Sequence, residues 1–154
     1  MKHPEEIAIA SDHAGVDLKK IISGFIKRLD LGICDFGTHN QDSVDYPDYG
    51  ILVAQAVSEG KNSRGILICG SGIGMSILAN KFSGVRAALC FDLYSAEVSR
   101  RHTDANILVL GGRVLDDKTA IKIVQIWLNT KFEGGRHLRR IRKISEVERP
   151  KDKK

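Results

Sequence analysis

The chain has 154 residues, is 42% hydrophobic and carries a formal net charge of +5. This suits one domain with a proper core, while the lack of any apolar run near about 18 residues, or of one before a cleavage-like N-terminal site, argues against a transmembrane helix and a secretory signal. Residues 136–154 hold nine Lys or Arg against three Asp or Glu, so the body is nearly neutral, which is not the footprint of a nucleic-acid-binding face.

The first strand is expected at Ile7–Ala10, ending at Ser11-Asp12-His13-Ala14-Gly15. Apolar residues at Leu18, Ile21, Ile22, Phe25, Ile26 and Leu29 have helical spacing over Val16–Leu29. A second strand runs from Ile33 to Phe36. After a polar stretch at 37–46, Pro47 suits the first turn of a helix reaching about Glu59. The third strand, centred on Ile66–Ile68, delivers Cys69 to the turn Gly70-Ser71-Gly72-Ile73-Gly74, and a helix follows from Met75 to Phe82. Val85–Cys90 reads as the fourth strand and Tyr94–His102 as its helix. Asn106–Leu110 is the fifth strand, Asp117–Asn129 the next helix, and Leu138–Val147 a final helical segment. One domain is expected over 1–148, with 149–154 a solvated basic tail.

Strict alternation of strand and helix predicts a parallel sheet with helices on both faces, an α/β architecture. Such sheets bind ligands at the carboxyl ends of their strands. Those ends carry Asp12 and His13, Gly37 and Thr38, Cys69 to Gly74, Asp92, and Gly111 to Arg113. The glycine turn is the most chemical of them. At a helix N-terminus it gathers backbone N–H groups that attract negative charge, and the same field favours a thiolate. Cys34, Cys69 and Cys90 are odd in number and form no CxxC pair, which points to a reducing, cytoplasmic setting.

Familiar motifs fit poorly. Residues 70–74 are GxGxG where a dinucleotide fingerprint needs GxGxxG; Asp92, at the end of the next strand, keeps a non-catalytic nucleotide-binding module as an alternative. No Gly-Lys-Ser/Thr follows the glycines. The five histidines show no HExxH or i, i+4 pair, so no catalytic metal is expected. What remains is a thiol base, an anion nest and several cations. These suit proton abstraction beside a carbonyl on a small phosphorylated metabolite, with N–H groups preorganised around an enediolate. A further alternative is an interaction protein acting through its basic tail.

Ser-Asp-His-Ala-Gly at 11–15, Asp45-Tyr46-Pro47, GILICGSGIGMSILANKFSGVRA at 65–87, Ser99-Arg100-Arg101-His102, Gly112-Arg113-Val114 and Glu133-Gly134-Gly135-Arg136-His137 together resemble the B-type ribose-5-phosphate isomerases over roughly residues 6–148. The resemblance implies a Rossmann-like three-layer αβα sandwich working without metal or cofactor. It implies a homodimer or a pair of dimers with each active site shared between subunits. The partner is a small phosphorylated sugar, interconverted between ribose and ribulose 5-phosphates; a six-carbon sugar phosphate such as allose or galactose 6-phosphate is the alternative.

By the same resemblance, Cys69 moves the proton between C1 and C2, and Ser71 assists exchange on the oxygens. The amides around Gly70, Gly72 and Gly74 hold the enediolate. His102 opens the furanose ring, and Asp12 binds sugar hydroxyls or assists that opening. Tyr46 lines the sugar site. His13, Arg113, Arg136 and Arg140 bind phosphate. The cysteine, with Met75 where another branch carries Glu, matches the cysteine-dependent branch. Plainer roles stand beside these: Asp12 and Ser71 as helix caps, Tyr46 as packing, His102 as a helix C-terminal residue, and Asp45 as the cap before Pro47.

Overall fold

The side-chain alternation of the central strands decides the layers. In the computed structural model, which describes residues 5–148, the elements are β1 (Glu6–Ser11), a single 3-10 turn (His13–Gly15), α1 (Val16–Arg28), β2 (Gly32–Asp35), α2 (Tyr46–Ser58), β3 (Arg64–Cys69), α3 (Ile73–Ala79), β4 (Ala87–Leu89), α4 (Leu93–Thr103), β5 (Ile107–Gly111), α5 (Asp117–Asn129) and α6 (Arg136–Val147). Ile66 and Ile68 of β3 join Ile7, Ile9, Leu108 and Leu110 against α1, α4 and α5, with Trp127 fully buried among them. Leu67 and Cys69 point the other way, with Ala8, Ala10, Ile107 and Val109, against α2 and α3. Each fully buried Ile or Leu contributes about 1.5–3 kcal/mol, so these two faces dominate the stability.

The sheet is wholly parallel in the order β2-β1-β3-β5-β4. The chain leaves β1 toward α1 on one face and β3 toward α3 on the other. The adjacent β1 and β3 ends therefore splay apart into a crevice, which is where open α/β sheets place ligands. No helix among the described residues is long and apolar enough to cross a membrane. The basic tail expected at 149–154 lies outside the described residues.

Two of the boundaries that differ from expectation share a cause in the Asn80 side chain. α3 stops at Ala79, not Phe82, and β4 begins at Ala87, not Val85. The Asn80 amide donates to the Ala87 carbonyl and its oxygen accepts the Ala87 N–H, both at 2.9 Å, acting as a substitute strand neighbour. The Arg86 N–H is taken by Asn106 Oδ1 at 2.8 Å, so pairing with β5 starts one residue later.

Candidate active site

Cys69 ends β3 with its side chain turned toward α2 and α3, 4% exposed, at the floor of an open cavity of about 410 Å³. Asp12, Tyr46, Gly70, Ser71, Gly74, Arg113 and Val114 line the same cavity. The Gly72 N–H donates to Cys69 Sγ at 3.2 Å, and the Ile73 N–H donates to Ser71 Oγ at 3.2 Å. A sulfur that gives up its proton thus finds a donor already in place.

Two of the three glycines of the turn are required by space. Gly72 has φ +80°, and a Cβ there would sit 2.5 Å from Leu89 Cδ1. This left-handed position with no room is one only glycine fills. Its amide faces the thiol. Gly74 lets the Tyr46 ring approach, since a Cβ would lie 2.4 Å from Tyr46 Cζ. A Cβ on Gly70 would meet Arg113 at 3.5 Å. Among the described residues, the N–H groups of Gly70, Ser71 and Gly74 have no hydrogen-bond acceptor, so these three are the free donors of the turn.

The β1 end supplies a carboxylate. Asp12 Oδ1 accepts from the Ala14 and Gly15 N–H groups at 3.0 and 3.2 Å, so the capping role is real. Its other oxygen has no partner among the described residues, and Asp12 lines the cavity. His13 Nδ1 accepts the Val44 N–H at 3.1 Å, which leaves a proton for Nε2, where a neutral imidazole becomes a donor. Arg113 makes no ion pair among the described residues and remains a free cation at the cavity edge. Behind this rim the buried Lys19 ammonium donates to Asp35 and to the Thr38 carbonyl, both at 2.6 Å, tying down the loop after β2.

His102, Arg136 and Arg140 do not line this cavity. α4 starts at the carboxyl rim and returns to the opposite one. His102 is in its last turn, and Arg86 Nε donates to the adjoining Thr103 carbonyl at 3.1 Å just before β4 begins. The Glu133 N–H bonds the Arg101 carbonyl, so α6 starts at that same end. The six residues of β3 separate the two rims by roughly 17 Å at 3.3 Å per residue. Within one chain, His102 therefore cannot meet Cys69. Asp92 is also absent from the cavity. It sits beyond edge strand β4, and its carboxylate accepts the Ser95 N–H at 2.7 Å as a helix cap, which removes its suggested nucleotide role.

At the far rim the His102 and His137 rings stack at 4.2 Å and 9°. Glu133 lies 3.4 Å from His137 Nε2 and is gripped by Arg101, whose Nε donates to it at 2.6 Å. That guanidinium holds the Glu133 carboxyl below its usual range, while burial first, then the charges of His102, Arg136 and Arg140, push the His137 imidazolium down. The donor atoms of His102, Glu133 and His137 lie within 4.8 Å of one another. Parallel imidazoles aim their in-plane lone pairs at different points, and Arg101, Arg136 and Arg140 oppose a cation. The set does not fit a metal, whose nitrogen ligands converge at about 2.0–2.1 Å.

The description "Ribose/Galactose Isomerase" names the family whose model matches residues 7–144. The chain belongs to this family. It is 50% identical to a putative sugar phosphate isomerase, YwlF, of Bacillus subtilis over 93% of this chain and 97% of that one. Ribose-5-phosphate isomerase B of Escherichia coli is 44% identical over 94% and 97%. The solved ribose-5-phosphate isomerase B of Mycoplasma genitalium, with bound ribulose-5-phosphate, is 45% identical and superposes with TM-score 0.93 over 97% of this chain and 100% of that one.

Family membership does not itself reveal how the two rims divide the residues. Sequence reasoning left His137 without work and passed over Glu133 as part of a motif. The only signal was their spacing of four, in a segment whose helix starts at Arg136.

Proposed function

We propose that this isomerase interconverts ribose 5-phosphate and ribulose 5-phosphate through a cis-enediolate. The carrying observation is the buried Cys69 thiol, held by the Gly72 amide at the floor of a cavity whose walls offer a carboxylate, a hydroxyl, free amides and an unpaired guanidinium. The E. coli and M. genitalium relatives support the five-carbon substrate. Cys69 takes the C2 proton of the open-chain aldose and returns it at C1. Ser71 exchanges protons between O1 and O2. The free N–H groups of Gly70, Ser71 and Gly74 hold the enediolate oxygens. Asp12 binds sugar hydroxyls through its uncommitted oxygen, and Tyr46 bounds the sugar on the α3 side. His13, through its Nε2 proton, and Arg113 bind phosphate.

The remaining parts come from a second copy. A two-fold dimer that brings the carboxyl rim of one subunit against the His102 rim of the other builds two complete sites. His102 then opens the furanose, and Arg136 with Arg140 completes the phosphate grip. Exposed apolar side chains lie on segments that follow the carboxyl ends of the strands, where this dimer would meet: Ile73 and Ile77 on α3, Phe91 and Tyr94 before and on α4, and Val114. A cysteine base also requires a reducing compartment, which fits a cytoplasmic setting with all three cysteines free.

The test is a coupled assay across pentose and hexose phosphates, with Cys69→Ala as control. Ribose 5-phosphate should be preferred. The variant should retain its circular dichroism and lose about 10³–10⁴-fold in kcat, near the upper end for general acid–base catalysis. Near-normal turnover by the folded variant would remove Cys69 as the base; a hexose phosphate preference would reassign the substrate.

A further inference from the structure

His137 is an odd residue to bury. It is 5% exposed, and Nε2 is shielded from water without a well-formed hydrogen bond. An apolar ring would fill the same space without leaving a polar atom short of a partner. Its neighbours are specific. One face lies flat on the His102 ring. Its Nε2 edge faces Glu133, which is fixed by Arg101, and Arg101 is in turn held to Glu97 at 2.9 Å. Its backbone N–H is tied to the Gly134 carbonyl at 3.1 Å. A chain of contacts therefore runs from Glu97 through Arg101, Glu133 and His137 to the imidazole assigned to ring opening.

We propose that His137 is a positioning residue for His102: its anchored ring is the platform on which the His102 imidazole rests, so that His102 presents its edge nitrogens and not its face to the sugar ring. The inference rests on the reading of His102 as the ring-opening group. Acid–base work on the ring oxygen needs a nitrogen in line with the proton it moves, and a freely turning imidazole spends most of its time misaligned. The stack also shapes the charge. The groups facing His137 are His102 from α4, Glu133 and, behind it, Arg101, and Arg136 and Arg140 on α6. Burial first, then the charges of His102, Arg136 and Arg140, disfavours the His137 imidazolium.

The experiment compares two reactions of the full-length protein. Isomerisation of ribose 5-phosphate requires ring opening. Exchange of solvent deuterium into ribulose 5-phosphate does not, because that ketose has its 5-oxygen esterified and cannot close a furanose. His137→Ala should lower kcat for ribose 5-phosphate about 10–100-fold while exchange stays within about threefold of wild type, and His137→Phe, which keeps a flat buried ring, should restore most of the loss. Nuclear magnetic resonance of the wild type should show the His137 imidazole remaining neutral to below the ordinary histidine value. Equal losses in both reactions, or a folded His137→Phe with unaltered kcat alongside a His137→Ala with unaltered kcat, would overturn the proposal. His102→Ala is the reference. If it fails to separate the two reactions, the ring-opening assignment falls; if it separates them and His137→Ala does not, only the platform role falls.

Discussion

The two rims of the sheet carry chemistry in opposite ways. At the carboxyl rim the groups nearest Cys69 are short side chains and backbone, a hydroxyl, a carboxylate and amides freed by a glycine turn, with the longer His13, Tyr46 and Arg113 at their edge. They are fixed by the ends of hydrogen-bonded strands, and a shift of one residue would destroy them. At the other rim the groups are long or flat side chains on helices α4 and α6, set by stacking and ion pairs. The first arrangement suits a transient anion, which needs donors that do not move. The second suits a phosphate and a ring oxygen, which long cations and an imidazole reach from a distance.

Mixing the two defects tests that division most severely. Cys69→Ala and His102→Ala subunits, each nearly inactive alone, should together regain about a quarter of wild-type activity after dissociation and random reassociation. Half of the dimers are then mixed, and each mixed dimer holds one intact site. Absence of recovery in confirmed mixed dimers would place both residues in one subunit's site. Replacing Arg136 and Arg140 together by Ala should raise KM for ribose 5-phosphate about 10–100-fold with a smaller change in kcat, the sign of uniform binding. An unchanged KM would take α6 out of the site.

The rigid rim should fail through its backbone. Gly72→Ala places a side chain at φ +80° against Leu89 and should cost about 1–3 kcal/mol in denaturant unfolding while also displacing the amide that serves Cys69. A neutral result would show that the turn yields. The smallest effect is in pH. His137 has its imidazolium disfavoured in the folded chain, so the unfolded chain binds that proton more readily. Stability should therefore fall as pH drops below about 6.5, the ordinary histidine value, and be unaffected by this group above it. His137→Phe should flatten that part of the stability curve.

The carboxyl rim was readable because its information is local. An apolar run, a cysteine and alternate glycines lie within ten residues, and alternation of strands and helices sets which ends share a rim. Asp12 and Arg113 were legible for the same reason. The strand order was not, since nothing in Ala87–Leu89 tells whether it pairs with β3 or lies beyond β5. Nor was the start of β4, which depends on the Asn80 amide seven residues away. The His102–His137 stack joins residues 35 positions apart through a loop and two helix ends, and no periodicity records it. The i, i+4 pair Arg136 and Arg140 was visible, but not the end of the sheet it occupies.

The height of β3 has a consequence for the enzyme in dilute solution. Because Cys69 and His102 stand roughly a strand's length apart, a lone folded chain would, on the proposed roles, hold two incomplete halves and turn over nothing that must first be uncyclised. Below the dissociation constant of the proposed dimer, the rate should rise with the square of protein concentration while the circular dichroism per chain stays constant. Specific activity would then report how many chains have met, and catalysis would become a measure of abundance.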